Sequence, residues 1–310
     1  MKFLVIMDPL AHLSLPQDTT VGFMNAASAQ GHELHICTSD DLYLLGNQTW
    51  AMVKPVTIPQ ADEVVVFESQ SLSLAVYDCV WMRKDPPVDQ AFLHTTYLLD
   101  FANTWVINPP HLLRNFNEKL YALQFIDVTP NTRVASSPNL ILSWLKESSE
   151  PMIVKPLDGY GGLGICLLSG DDRNTRVTLE LLTEQGTKRV VVQTYLPSAR
   201  FGDHRVLIVN GKVGGSILRT PQEDDHRGNI HVGGLVTHLP LNEDELALCN
   251  RVAQRLKADG IFFAGLDLIG GMLTEINITS PTGIREYQSL TGISVGDLFI
   301  QEIETEINRL

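Results

Sequence analysis

Apolar positions along the chain group in two ways, as short unbroken runs and as alternating rows. The first run, Phe3 to Met7, ends at Asp8-Pro9 and predicts a strand buried on both faces. A weak helix over about 19–30 is stopped by Gly31, and a second strand follows at 33–38. "VYDCVWMR" (76–83), the helical period of "FLHTTYLLDFA" (92–102) and "WVIN" (105–108) continue the alternation. Strands alternating with helices predict a βαβ sheet with helices on its faces. Residues 50–75 carry little period and read as a surface excursion. A helix begins near 115–126, with Asn115 or Asn117 as its cap.

Beyond that helix the texture changes to short strands, at 151–157, 189–196, 204–218, 262–269 and 273–279. Asn210-Gly211 between two apolar runs predicts a two-residue hairpin. In 242–260, Leu246, Cys249, Val252, Ala253 and Leu256 form an apolar helical face. Asn242 with Glu245 gives that helix a capping box and Gly260 a stop. Residues 295–310 are helical by period. The fold class is therefore α/β to about residue 118, then an α+β region rich in antiparallel strands.

Composition narrows the function classes. The chain has 310 residues, 44% hydrophobic and 19% charged, enough for more than one core. A net charge of −13 argues against a nucleic-acid partner, although a local group of Arg and Lys can still take an anionic ligand. Cys37, Cys79, Cys166 and Cys249 are scattered, without CxxC spacing. They predict reduced thiols in a cytoplasmic protein with no zinc site. The N-terminal apolar run is too short for a signal peptide, and no run reaches the roughly 18 residues of a membrane span.

Candidate chemistry begins with "AGLDLIGGMLTEINITSPTGIRE" (264–286). Glu275, Asn277 and Thr279 alternate with Ile276 and Ile278, which places the polar three on one strand face. Cross-strand partners share a face, so a two-residue loop at Gly270-Gly271 would set Glu275 opposite Leu266, on the wrong side. A three-residue loop, 270–272, would set it opposite Asp267, and that loop is the expectation. Asp267, Glu275 and Asn277 would then form an oxygen-only site suited to Mg²⁺; a solvated polar sheet face is the alternative.

In "IVKPLDGYGGLGI" (153–165), Lys155 on an apolar strand precedes Gly159, Gly161, Gly162 and Gly164. Such a loop either covers a phosphate with its backbone N–H groups or is a plain flexible turn. It is neither a Walker A motif nor a clean GxGxxG. In 190–211, Gln193 to Leu196 end a strand whose edge could read adenine, with Asp203 for ribose hydroxyls and Arg205 facing the metal cavity. Taken alone, the segment reads as a simple strand, turn and strand. Arg83, Arg219, Arg227 and Arg285 each follow a strand or sit in a loop, where guanidinium forks can take carboxylates.

Taken together, "MDPL" (7–10), "MRKDPP" (82–87), "NEKL" (117–120), "VKPLDGYGG" (154–162), "QTYLP" (193–197), "RGN" (227–229) and the 265–286 segment resemble the ATP-grasp superfamily, and within it the bacterial glutathione synthetases. The resemblance spans nearly the whole chain. It implies a Rossmann-like (pre-ATP-grasp) domain at 1–118 and an ATP-grasp domain at 119–310, with a lid lobe at 119–192 and a C-terminal lobe at 193–310. It implies ligation of γ-glutamylcysteine to glycine with ATP, through an acyl phosphate, by a homotetramer using Mg²⁺ or Mn²⁺. By the same resemblance Lys119 and Lys155 contact ATP phosphates beneath the glycines at 159–162. Gln193, Tyr195 and Leu196 frame adenine and Asp203 the ribose, while Asp267, Glu275 and Asn277 hold the metal. Arg205 stabilises the transferring phosphoryl group, and Arg227 rides on the closing loop. Asp18, Arg83, Arg219, Ser280 and Arg285 bind the peptide. Glu223, Asp224 and Asp225 depart from the family's glycine-containing closing loop and are expected to face solvent. The rival readings are another carboxylate–amine ligase, of the D-alanine–D-alanine or glutamate-ligase kind, and a non-catalytic ATP-binding regulator.

Overall fold

The computed structural model describes residues 1–222 and 234–309. The N-terminal sheet is laid down by β1 (Lys2–Ile6), α1 (Thr19–Ala29), β2 (Glu33–Cys37), β3 (Leu42–Leu45), β4 (Gln48–Thr57), β5 (Val65–Val66), β6 (Gln70–Ser73), β7 (Cys79–Met82), α2 (Gln90–Leu99) and β8 (Trp105–Ile107). β2, β1, β7 and β8 run parallel, in that order across the sheet. Their apolar runs are buried on both faces, as the unbroken Phe3–Met7 stretch requires.

The excursion expected at 50–75 is instead sheet. β4 is ten residues long and pairs antiparallel with β2 and β3 on one side and with β5 and β6 on the other. Its period was present but blurred. Thr49, Ala51 and Val53 point into the core, while the outward positions carry Trp50 and Met52, which look equally apolar in sequence.

A connection through α3 (Pro110–Asn115) and α4 (Glu118–Tyr121) leads into the second half. α4 is a single turn capped by Asn117, whose side chain accepts from the N–H of Lys119 and Leu120. Then come β9 (Thr132–Ala135), α5 (Pro138–Glu147), β10 (Met152–Pro156), β11 (Cys166–Leu168), α6 (Thr175–Leu182) and β12 (Val190–Thr194). These strands form an antiparallel sheet ordered β11-β10-β12-β9. Their small core, around Ile141, Leu145, Val154, Leu179 and Val192, is separate from the others.

A third sheet, ordered β15-β14-β13-β16-β17, is built from β13 (Asp203–Val209), β14 (Lys212–Thr220), β15 (Leu235–Thr237), β16 (Phe263–Ile269) and β17 (Met272–Asn277). α7 (Glu243–Ala258), α8 (Ile284–Thr291) and α9 (Val295–Ile307) pack with it. On α7 the capping box of Asn242 and Glu245 is formed, but the apolar face takes Leu248 and leaves Leu246 exposed. This sheet shares its cores with the N-terminal one: Phe23, Trp81, Phe263 and Phe299 interlock in one cluster, and Leu4, Val80, Val206 and Leu266 lie in another. The first and third sheets thus form one body, and the second stands against it with a core of its own.

Candidate active site

The hairpin that opens the chemistry closes differently from the expected three-residue loop. Ile269 pairs with Met272, so Gly270 and Gly271 alone form the turn, with φ of +55° and +77°. Glycine supplies both left-handed positions without steric cost. The register then shifts between Asp267 and Leu268, so that Thr274 bulges out of the ladder. The Thr274 hydroxyl donates to the Asp267 carbonyl at 3.0 Å and holds the bulge. Beyond it Asp267 stands opposite Glu275, and Gly265 opposite Asn277. The bulge, rather than a longer loop, puts Asp267, Glu275 and Asn277 on one face.

That face floors a cleft of about 520 Å³ whose opposite wall is the second, four-stranded sheet. Lys155 reaches down from β10, and its Nζ donates to Glu275 Oε1 at 2.8 Å. Lys119 of α4 lies 3.8 Å from the same oxygen and also donates to the Gly159 carbonyl (2.6 Å) and to Glu118. On the other carboxylate, Arg205 makes a two-pronged pair with Asp267, at 2.6 and 3.1 Å. Arg219 touches Asp267 at 3.1 Å and pairs with Asp203. Four cations therefore meet four carboxylates, counting Glu118, in one largely buried cluster.

Electrostatics follow from that arrangement. Burial works to raise Glu275, but the ammonium groups of Lys119 and Lys155 outweigh it and hold its pKa low. Burial is likewise overcome at Asp267 by Arg205 and Arg219, which hold it well below the usual carboxylate range. Glu118 goes the other way, pushed up by burial and by the neighbouring Glu275. Burial also raises Asp203, against the pull of Arg219. Lys119 is raised, because Glu275 and Glu118 together exceed the opposing effect of burial.

The donors suit a hard divalent ion. Asp267 and Glu275 favour the ionised form, they share a face with the Asn277 amide, and all offer oxygen. Among the described residues no cluster of three or more His, Cys, Asp or Glu is arranged for a metal. Two carboxylates and an amide leave several positions to water or phosphate, which is the way Mg²⁺ is commonly bound.

Above this floor, Gly161 and Gly162 have φ of +60° and +81°, a conformation that turns successive N–H groups to one side. Ile153, Ile165 and Ile269 give the cleft part of its apolar lining, together with Gln193 near the end of β12 and Tyr195 and Leu196 just beyond it. That is an apolar slot beside a strand end. Ser280 also lines the cleft, in the turn after β17.

Three residues expected at the site do not line it. Asp18 caps α1, accepting from the Val21 N–H. Arg83 is buried beside the rings of Phe23 and Phe263, which touch each other edge to face, and donates to the Pro281 carbonyl and the Thr20 hydroxyl. Burial depresses its pKa. Arg285 is held by both oxygens of Asp62, each at 2.7 Å, and donates to the Pro16 carbonyl. Through the Pro281 carbonyl Arg83 holds the turn at 280–283 from outside the cleft, whereas Arg285 lies in the first turn of α8 that follows it. Arg227 and the Glu223–Asp225 acids lie outside the described residues. Conversely, Glu118 lines the cleft unforeseen; its only sequence signal was adjacency to Lys119.

Two family models match the chain: prokaryotic glutathione synthetase, N-terminal domain, over residues 1–114, and prokaryotic glutathione synthetase, ATP-grasp domain, over 118–292. The glutathione synthetase of Synechococcus elongatus is 41% identical over 323 residues, covering 100% of both chains. That of Gloeobacter violaceus is 43% identical, covering 96% of this chain and 94% of its own. That of Salmonella typhimurium is 39% identical, covering 99% of each. Among solved structures, D-cycloserine synthetase DcsG superposes with a TM-score of 0.68 at 17% identity, over 98% of this chain and 99% of that one. ATP-grasp ligase PsnB, complexed with a precursor peptide and AMPPNP, does so at 0.63 and 15% identity, over 99% and 98%. At those identities the likeness concerns the fold alone.

Proposed function

The chain belongs to the prokaryotic glutathione synthetase family, and on that basis we propose that it is an ATP-dependent carboxylate–amine ligase that joins γ-L-glutamyl-L-cysteine to glycine. ATP phosphorylates the cysteinyl carboxylate, the glycine amine displaces phosphate from the acyl phosphate, and glutathione, ADP and phosphate leave. The observation that carries this reading is the cluster on the cleft floor: two lysines on Glu275 and two arginines on Asp267. Phosphoryl transfer asks a protein chiefly for positioning and charge neutralisation, and this cluster supplies cations and metal-type oxygens within one cavity.

In this reading Lys119, Lys155 and the backbone at Gly159, Gly161 and Gly162 take the phosphates. Gln193, Tyr195 and Leu196 frame adenine in the apolar slot, and Asp203 faces ribose. Asp267, Glu275 and Asn277 hold Mg²⁺, or Mn²⁺ in its place, which when bound neutralises phosphate charge. Arg205, already aimed across the same floor, stabilises charge on the transferring group, with Arg227 on the closing loop. Arg219 and Ser280 meet the peptide; Arg83 supports its binding by holding the Pro281 carbonyl of the adjoining turn, and Asp18 and Arg285 are assigned to the peptide by the family resemblance alone. The division at residue 118, with lobes at 119–192 and 193–310, belongs to this reading too, supported by the separate core of the lid. So does a cytoplasmic homotetramer. Exposed Leu44, Leu45, Val65, Val66 and Phe67 on the outer strands favour association, the cysteines form no disulfide, and no described helix is long and apolar enough to cross a membrane.

ADP release from the purified protein, measured with γ-glutamylcysteine plus glycine and separately with D-alanine, tests the reaction. Turnover with the first pair alone is expected. Turnover with D-alanine would assign a different ligase, and tight ATP binding without turnover on either would leave a regulator.

A further inference from the structure

We propose that Asn108 is a positioning residue for the nucleotide-and-metal floor, acting as a side-chain rung between the two strands that carry Asp267 and Glu275. It sits at the end of β8 in the N-terminal sheet, is 4% exposed, and touches neither the cleft nor its ligands. Its Nδ2 donates to the carbonyls of Phe263 and Ile278, both at 2.7 Å. Its Oδ1 accepts from the N–H groups of Phe262 and Phe263, at 2.9 and 3.0 Å. A primary amide has two donors and two lone pairs, so all four capacities are used.

The placement of those four bonds gives the role. Phe263 opens β16, four residues before Asp267, and Ile278 directly follows Asn277. The backbone ladder between β16 and β17 ends at Gly265 opposite Asn277, so Phe263 and Ile278 lie just past its last pair. One NH₂ group bonded at 2.7 Å to a carbonyl on each side of the β16–β17 junction ties the two segments together through a single side chain. The amide thus extends the ladder by one rung, borrowed from the other domain. The rung lies between the bulged hairpin that aligns the carboxylates and the turn at 280–283, whose Pro281 and Thr282 carbonyls accept from Arg83 and Arg205. Loosening it lets β17 slide or splay against β16, and the first geometry to suffer is the separation of Asp267, Glu275 and Asn277.

Asn108→Asp isolates the rung. The aspartate keeps the shape and can still accept from Phe262 and Phe263, but it loses both donors and sets a negative charge against the two carbonyls. Calorimetric titration with the non-hydrolysable analogue AMPPNP, with Mg²⁺ and with EDTA instead, reads the effect. The inference rests on the proposed ATP and Mg²⁺ reading, and the parent protein tests that reading by itself: tighter AMPPNP binding with Mg²⁺ than with EDTA is required. Given that, Asn108→Asp should weaken binding by tenfold or more with Mg²⁺ and by less than threefold with EDTA. Val252→Ala, in the buried face of α7, is the control for general loss of stability and should not change the ratio of the two affinities. A parent-like ratio in Asn108→Asp, or the same change in Val252→Ala, overturns the proposal. Should Asn108→Asp not fold, Asn108→Ala is read by the same criteria. If neither folds, the amide serves the fold alone and the proposal fails.

Discussion

Replacing Glu275 with glutamine should destabilise the protein by about 3 kcal/mol at neutral pH, besides stopping turnover. The sign is not obvious, because Glu275 faces Asp267 and Glu118, and relieving such repulsion often stabilises a functional site. The structure decides it. The two lysines hold the Glu275 pKa low in spite of burial and of Asp267, so attraction wins. At an effective dielectric of about 20, Lys155 at 2.8 Å and Lys119 at 3.8 Å contribute roughly 6 and 4 kcal/mol of gross attraction. Desolvation and the other carboxylates remove most of this. What remains is set by stranding Lys155, which among the described residues donates to Glu275 alone, whereas Lys119 keeps Glu118 and Gly159. Breaking a buried pair from one side costs about 3–5 kcal/mol, and the 18% exposure of the Glu275 side chain argues for the lower end. For a chain of 310 residues that is a fall in melting temperature of about 5 °C.

The pH dependence separates charge from packing. A carboxylate whose folded-state pKa lies below its unfolded value, about 4.3, stabilises fully above that value and less as pH falls through the folded one. The gap between parent and Glu275→Gln should therefore be constant from about pH 8 to about pH 5 and narrow below it. Thermal unfolding of both proteins across that range is the assay. A variant as stable as the parent at pH 7, or a gap that ignores pH, would refute the account, and near-normal ADP release would remove Glu275 from the metal set.

Three further outcomes follow from other parts of the molecule. Asn242→Ala removes both the side-chain acceptor for the Glu245 N–H and the capping box, and should lower the urea-unfolding free energy by about 1 kcal/mol. Leu179→Ala empties a fully buried position in the small lid core at a cost of about 2–5 kcal/mol, and hydrogen exchange should speed up in β9–β12 while β1 and β16 stay protected. Burial holds His32, His35 and His204 below their ordinary pKa, so as pH drops below about 6.5 the unfolded chain takes protons first and stability falls. The raised Glu118 and Asp203 push the other way, so the check is a shallower decline from pH 7.5 to 5.5 in a His35→Gln, His204→Gln protein than in the parent.

Much of the fold was legible because burial wrote it plainly. Phe3–Met7 could only be a doubly buried strand, and Asn242 with Glu245 could hardly be anything but a helix start. β4 was not legible, since Trp50 and Met52 face outward and hide the alternation. The hairpin at Gly270 shows a subtler limit. The polar alternation on β17 told which residues share a face, but not how the chain achieves it, because a bulge at Thr274 and a longer loop give the same parity. Asn108 was invisible as well. A polar residue ending an apolar strand looks like an ordinary strand terminus, and its four hydrogen bonds reach three residues 154 to 170 positions away. Arg83 and Arg285 were read as substrate forks because isolated arginines near turns suit carboxylates. Only three dimensions reveal that Arg83 is buried against two aromatic rings and Arg285 already holds Asp62.

The charge pattern of the cleft resolves an apparent conflict between a net charge of −13 and anionic substrates. Buried cations need counter-charges if the chain is to fold, and here the counter-charges of Lys119, Lys155, Arg205 and Arg219 are Asp267, Glu275, Glu118 and Asp203. On the proposed reading each side has a second partner of the same chemistry. Phosphate oxygens compete with Glu275 for the lysine protons, and a divalent ion competes with the same lysines for the Glu275 oxygens. Either ligand alone would strand one charge of a pair, whereas both together leave every charge compensated. Nucleotide and metal should therefore bind with strong positive coupling, and Lys155→Met should weaken AMPPNP binding less when Mg²⁺ is withheld than when it is present.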